Sequence, residues 1–129
     1  FWCYLNTLNN TIQYVNAGHN PPLLIRNGTI RYLDKGGMLL GVFKSYDSYA
    51  SEEITLEKGD IIVMFTDGIT EAKNANDDEY TDERLEQLVK ENAHLSTDEL
   101  TECILNDVHE FVKGFPQSDD LTLVVMKYV

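Results

Sequence analysis

The stretch that most constrains this chain is Ile61-Ile62-Val63-Met64, entered through Gly59-Asp60 and left through Phe65-Thr66-Asp67-Gly68. An apolar, β-branched run bounded by a Gly-Asp turn signal predicts a buried strand. Its far end presents Asp67, and the glycine that follows lets the backbone bend there. A carboxylate at the tip of a buried strand suits a hard divalent cation, which prefers oxygen ligands. It also suits a simple Asx-turn before a glycine. A second acid-tipped strand is predicted near the other end, where Ser118-Asp119-Asp120 opens Leu121-Thr122-Leu123-Val124-Val125-Met126. If the two strands meet, their carboxylates can share one cation. The alternative is that Asp119 and Asp120 only cap the loop before their strand.

Size and charge narrow the field. A chain of 129 residues suits one domain. It carries 22 acids against 10 Lys and Arg, a net charge of -12, so it lacks the basic stripe that nucleic-acid binding needs. The same balance fits cation binding and also fits ordinary solvated helices. Cys3 and Cys103 form no CxxC pattern, which argues against structural zinc. Buried free thiols in a cytoplasmic protein are expected, with a Cys3–Cys103 disulfide left open. No apolar run approaches the roughly 20 residues of a bilayer span, and no signal peptide is visible. A cytoplasmic domain is expected, and a parent protein anchored elsewhere is left open. The chain starts at Phe1, without methionine and inside a strand-like segment, as a piece of a longer protein would.

The first two-thirds reads as strands. Residues 1–8 and Thr11-Ile12-Gln13-Tyr14-Val15 are expected to pair through a turn at Asn9-Asn10. Asn16-Ala17-Gly18-His19-Asn20-Pro21-Pro22 is a loop, because its prolines stop regular pairing. Leu23-Leu24-Ile25-Arg26 and Thr29-Ile30-Arg31-Tyr32-Leu33 flank Asn27-Gly28, the strongest short hairpin signal present. Met38-Leu39-Leu40, between Gly36-Gly37 and Gly41, reads as a flexible apolar loop, and residues 49–56 alternate as a strand. Helices follow. Thr81 or Asp82 can cap one carrying Leu85, Leu88 and Val89. Ser96-Thr97-Asp98-Glu99 is a capping box, opening a stripe of Leu100, Ile104, Val108, Phe111 and Val112. A last strand over 121–128 rejoins the sheet, which makes the fold class α+β.

Three motifs in order then carry a resemblance: Tyr14 through Pro22, Gly59-Asp60 leading to Phe65-Thr66-Asp67-Gly68-Ile69-Thr70-Glu71-Ala72, and Asp119-Asp120-Leu121-Thr122-Leu123-Val124-Val125. Together they closely resemble the metal-dependent (PPM, or type 2C) serine/threonine protein phosphatases, in the bacterial branch of the stage II sporulation E and sigma-factor regulatory phosphatases. The resemblance covers nearly the whole chain. It implies a β-sandwich flanked by helices in α-β-β-α layers, with two Mg²⁺ or Mn²⁺ ions at one end. Those ions activate a water that attacks phosphoserine or phosphothreonine. By position, Asp67 and Asp119 resemble metal ligands serving the same ion. Asp120 takes the neighbouring position, often asparagine in relatives, and Gly68 follows the ligand as it does there. Residues 38–42 resemble a segment that packs near the site and adjusts it.

The family's first motif, an aspartate-glycine segment whose aspartate bridges the two ions, is absent here. So are several N-terminal strands and two helices. Residues 1–129 therefore look like the C-terminal portion of a single domain, expected to be inactive alone. The resemblance implies a parent phosphatase acting on an anti-anti-sigma-type phosphoprotein and carrying an N-terminal sensor or receiver domain. The competing reading is a phosphatase-like module that binds partners without catalysis. Open sheet edges predict self-association, such as a homodimer.

Other candidates have plain alternatives. His19 is either a proton shuttle or phosphate contact beside the site, or a hydrogen-bonded loop histidine. Glu71 either lies behind the ligands or is a helix-start carboxylate. His94 and His109 are expected on solvated helix positions, Asp60 in a turn, and Asp77-Asp78-Glu79 in a solvated loop without calcium-site spacing.

Overall fold

The computed structural model describes residues 1–42, 44, 48–117 and 119–129, so Ser118 of the second acidic motif lies outside the described residues. In chain order the elements are β1 (Trp2–Asn6), β2 (Thr11–Val15), β3 (Leu23–Arg26), β4 (Thr29–Tyr32), β5 (Glu52–Thr55), β6 (Ile61–Phe65), α1 (Asp67–Thr70), α2 (Asp82–Glu91), α3 (Thr97–Val112) and β7 (Leu123–Lys127). They form two antiparallel sheets, ordered β1-β2-β5 and β4-β3-β6-β7.

Side-chain alternation builds two cores from one central sheet. Leu24 and Ile62 point between the sheets, where they meet Ile12, Tyr14, Leu33, Ile54 and Leu56. Leu23, Ile25, Ile61, Val63 and Phe65 point the other way, onto Leu85, Val89, Leu100, Ile104 and Val108 of α2 and α3. A one-residue slip of β6 would exchange the two sets, so its register is strongly specified. The helices cover one side of the sandwich. On the outer face of β1-β2-β5, Trp2 and Tyr4 stay 56% and 54% exposed. The described residues thus supply three of the four expected layers.

Local chemistry explains most boundaries. Asn27 and Gly28 both take positive φ, 50° and 74°, as the tight β3–β4 turn requires. The β1–β2 turn is wider than expected. Asn6 pairs with Thr11, and residues 7–10 turn between them. Asn6 Oδ1 accepts from the Leu8 amide at 3.0 Å, which starts the turn early. The capping box forms as expected, with the Ser96 hydroxyl accepting from the Glu99 amide and Glu99 accepting from the Ser96 amide. Thr81 takes the N-cap position of α2, but its side chain makes no capping bond. The last strand is shorter than expected at its start, because the Thr122 amide donates to the Thr66 side-chain hydroxyl and not to a backbone carbonyl, so the regular ladder begins at Leu123.

Asp60 does more than shape its turn. It is 2% exposed, accepts from Arg26 Nε at 2.8 Å and Nη2 at 2.6 Å, and accepts from the Glu57 amide at 2.8 Å. This forked pair ties the start of β6 to the end of β3. Both cysteines are free, but neither is buried as expected: Cys3 is exposed because it lies on the edge strand β1, and Cys103 is half-buried on α3. Among the described residues no helix is long and apolar enough to cross a membrane.

Candidate metal centre

Asp67 is where the sequence predicts it, two positions past the end of β6, a strand whose residues are almost entirely buried. Ile61, Ile62, Val63 and Phe65 are each at most 2% exposed, so β6 is anchored in both cores. The chain then bends into the single turn α1, closed by the Ile69 amide donating to the Thr66 carbonyl at 3.1 Å. Asp67 opens that turn with its side chain exposed to solvent.

The second acidic motif comes directly against this bend. A Cβ on Gly68 would lie 2.5 Å from the Asp120 carbonyl oxygen and 3.2 Å from that of Asp119. The first distance is too short for any side chain and the second is tight, so the close approach of the two backbones requires glycine. The Thr66 hydroxyl donates to the Asp120 carbonyl at 2.9 Å and accepts from the Thr122 amide at 3.0 Å. Beyond Thr122, β7 pairs with β6 from Phe65↔Leu123 onward. The structure therefore brings residues 66–68 and 119–122 together, with Asp67 and Asp119 both exposed. Asp119 also bends back locally, its Oδ1 accepting from the Asp120 amide at 2.7 Å.

Two exposed carboxylates on adjoining backbone are donors of the type Mg²⁺ or Mn²⁺ takes, since such ions accept few protein ligands and keep several waters. Among the described residues, no group of three or more His, Cys, Asp and Glu side chains gathers to hold a metal.

Of the remaining candidates, Glu71 is tied to Asp67 through its amide, which donates to the Asp67 carbonyl at 2.8 Å, and His19 is not. His19 is a bonded loop histidine: its Nδ1 lies 2.8 Å from the Asn20 carbonyl, and its ring sits 6.5 Å from that of Phe1. No hydrogen bond or ring contact among the described residues joins it to Asp67 or Asp119. Glu71 stands at the C-cap of α1, not at a helix start, because the helix is a single turn that already begins at Asp67. It is exposed and lines a depression of about 270 Å³ with Asn20, Pro21, Thr70, Asp82 and Glu83. Burial and the neighbouring Glu83 and Glu86 push the Asp82 carboxyl up, so this rim is strongly acidic. His94 lies in the turn after α2, not on a helix, and His109 lies on α3; both are exposed, as are Asp77, Asp78 and Glu79.

Two residues with structural importance at this end escaped the sequence reading. One is Thr66. The other is Asn16, 5% exposed, whose Oδ1 accepts from the amides of Gly18 at 3.1 Å and His19 at 2.9 Å. Its Nδ2 donates to the His19 carbonyl at 2.9 Å, so one side chain organises the 16–22 loop. Asn followed two positions later by Gly was the available signal. That loop also meets the 35–39 segment: Gly37 donates to the Asn16 carbonyl at 2.9 Å, and Leu39 packs on Gly18.

The geometry agrees with known proteins. The family described as stage II sporulation protein E (SpoIIE) matches residues 1–129. Phosphoserine phosphatase RsbU of Bacillus subtilis is 32% identical over 130 residues, which cover 98% of this chain and 38% of that protein. The SiaA-PP2C domain of Pseudomonas aeruginosa superposes with a TM-score of 0.83 at 17% identity, over 98% of this chain and 50% of that one. The phosphatase domain of the cell fate determinant SpoIIE from Bacillus subtilis, Mn presoaked, gives 0.71 at 18% identity, over 98% and 55%. The chain thus spans about half the length of those solved chains and 38% of RsbU. The two structures speak to the fold, a PP2C-type sandwich. With the family match running from the first residue to the last, the chain belongs to the stage II sporulation protein E (SpoIIE) family.

Proposed function

We propose that the full-length protein is a metal-dependent phosphatase that hydrolyses phosphoserine or phosphothreonine on a regulatory protein of the anti-anti-sigma type. Residues 1–129 are, on this reading, the C-terminal portion of its catalytic domain. An N-terminal sensor or receiver domain would govern it. The observation that carries the proposal is the backbone contact between Gly68 and Asp119–Asp120, which sets two exposed carboxylates on adjoining segments. The 32% identity to a phosphoserine phosphatase supports the substrate class.

Asp67 and Asp119 would hold the ion, and the donor set fits: hard oxygen ligands, open to water, on a strand end that the core keeps from moving. A bound Mg²⁺ or Mn²⁺ supplies positive charge for the phosphoryl oxygens and a water of lowered pKa. The chain's own part is to fix the carboxylates and to carry the 16–22 loop and the acidic rim beside them. Because the domain is so acidic, a phosphoprotein substrate needs that local cation to approach.

The test is hydrolysis of a phosphoserine protein by the full-length enzyme in Mn²⁺. Asp67→Asn and Asp119→Asn are each expected to lower the rate by about 100-fold or more while leaving the fold intact. A folded full-length protein with no hydrolysis in excess Mn²⁺, or wild-type rates in both variants, would refute the proposal. The former result would favour a non-catalytic interaction module.

A further inference from the structure

We propose that Thr66 is a positioning residue: it holds the Asp119–Asp120 segment on the end of β6 and so sets where the two carboxylates meet. The inference rests on the reading of Asp67 and Asp119 as ligands of one divalent ion.

Thr66 occupies the N-cap position of α1, where a threonine hydroxyl ordinarily bonds an amide of the first helical turn. Here it makes no such bond. The hydroxyl is turned instead to a segment 54 positions away, donating to the Asp120 carbonyl at 2.9 Å and accepting from the Thr122 amide at 3.0 Å. The Thr66 amide adds a bond to the Thr122 carbonyl at 3.1 Å. These bonds extend the β6–β7 pairing one step past its last regular pair, Phe65↔Leu123.

The Asp120 carbonyl is consequently fixed from two sides. The hydroxyl draws it in, and the bare Cα of Gly68 gives it room. Asp67 is joined directly to both residues that make this contact. Only a side chain that donates and accepts at once can hold both groups. Serine qualifies; valine keeps the shape of threonine and does neither.

The experiment uses the full-length protein and reads two quantities: amide exchange at Thr122, and the Mn²⁺ concentration for half-maximal binding. Thr66→Val is expected to speed Thr122 exchange at least about tenfold and to raise the Mn²⁺ requirement about 10-fold or more. Thr66→Ser is expected to stay near wild type in both. Thr66→Ala provides a second variant without the hydroxyl should valine impair folding. Wild-type exchange in the hydroxyl-free variants overturns the proposal, and so does faster exchange with an unchanged Mn²⁺ requirement. Asp67→Asn separates the two readings. If it binds Mn²⁺ as tightly as wild type, the ligand assignment fails and the positioning role falls with it. If it loses binding while Thr66→Val does not, only the positioning role falls.

Discussion

β6 and β1 are both five-residue strands, and β1 carries the larger aromatic side chains. Yet Ile61, Ile62, Val63 and Phe65 of β6 are at most 2% exposed, while Trp2, Tyr4 and Leu5 of β1 are 56%, 54% and 42% exposed. The difference is one of position. β6 has β3 and β7 on its two sides and a core on each face, whereas β1 is an edge strand with β2 alone beside it. Apolar content says what a strand can bury, and topology decides what it does bury. The functional consequence follows directly, because the strand that leads into Asp67 is the one held on all sides.

That contrast can be tested by truncation. Phe65→Ala removes a wholly buried ring and is expected to cost about 3–5 kcal/mol in denaturant unfolding. Trp2→Ala deletes a larger side chain and is expected to change monomer stability by no more than about 0.5 kcal/mol. Its effect should appear in light scattering, as reduced self-association of this acidic chain through the open β1 edge. Equal losses of stability in the two variants would contradict the account of β6 as the anchored strand.

A smaller effect sharpens the comparison from the other end of β6. Asp60→Ala leaves Arg26 without its forked partner and is expected to cost on the order of 3 kcal/mol. Because Arg26 is 30% exposed and can turn to water, the loss should not exceed that of Phe65→Ala. A thermal shift indistinguishable from wild type would show that the pair is incidental.

Features set by near neighbours were legible in the sequence. Asn27-Gly28, the Ser96–Glu99 box and the period-two pattern of β6 each depend on residues a few positions apart. The placement of Asp67 at a strand end was legible for the same reason. What the sequence hid were pairings that exist only after the sheets assemble. Arg26 finds Asp60 across 34 positions, and Thr66 finds Asp120 across 54. Nothing in the local pattern of a threonine before an aspartate tells whether its hydroxyl will cap a helix or hold a distant loop. The extent of the β1–β2 turn was missed because Asn6, inside what reads as a strand, supplies the turn-forming carbonyl. His19 could be read either way from its loop, and its Nδ1 contact with the Asn20 carbonyl is another pairing that the sequence pattern did not show.

The central claim is that residues 67 and 119 serve one ion. A crystal of the full-length protein soaked in Mn²⁺ tests it most directly through the anomalous signal of the metal. The account predicts one Mn²⁺ within coordinating distance, about 2–2.3 Å, of a carboxylate oxygen of each residue. A Mn²⁺ bound elsewhere, with the two carboxylates turned to separate solvent, would contradict it.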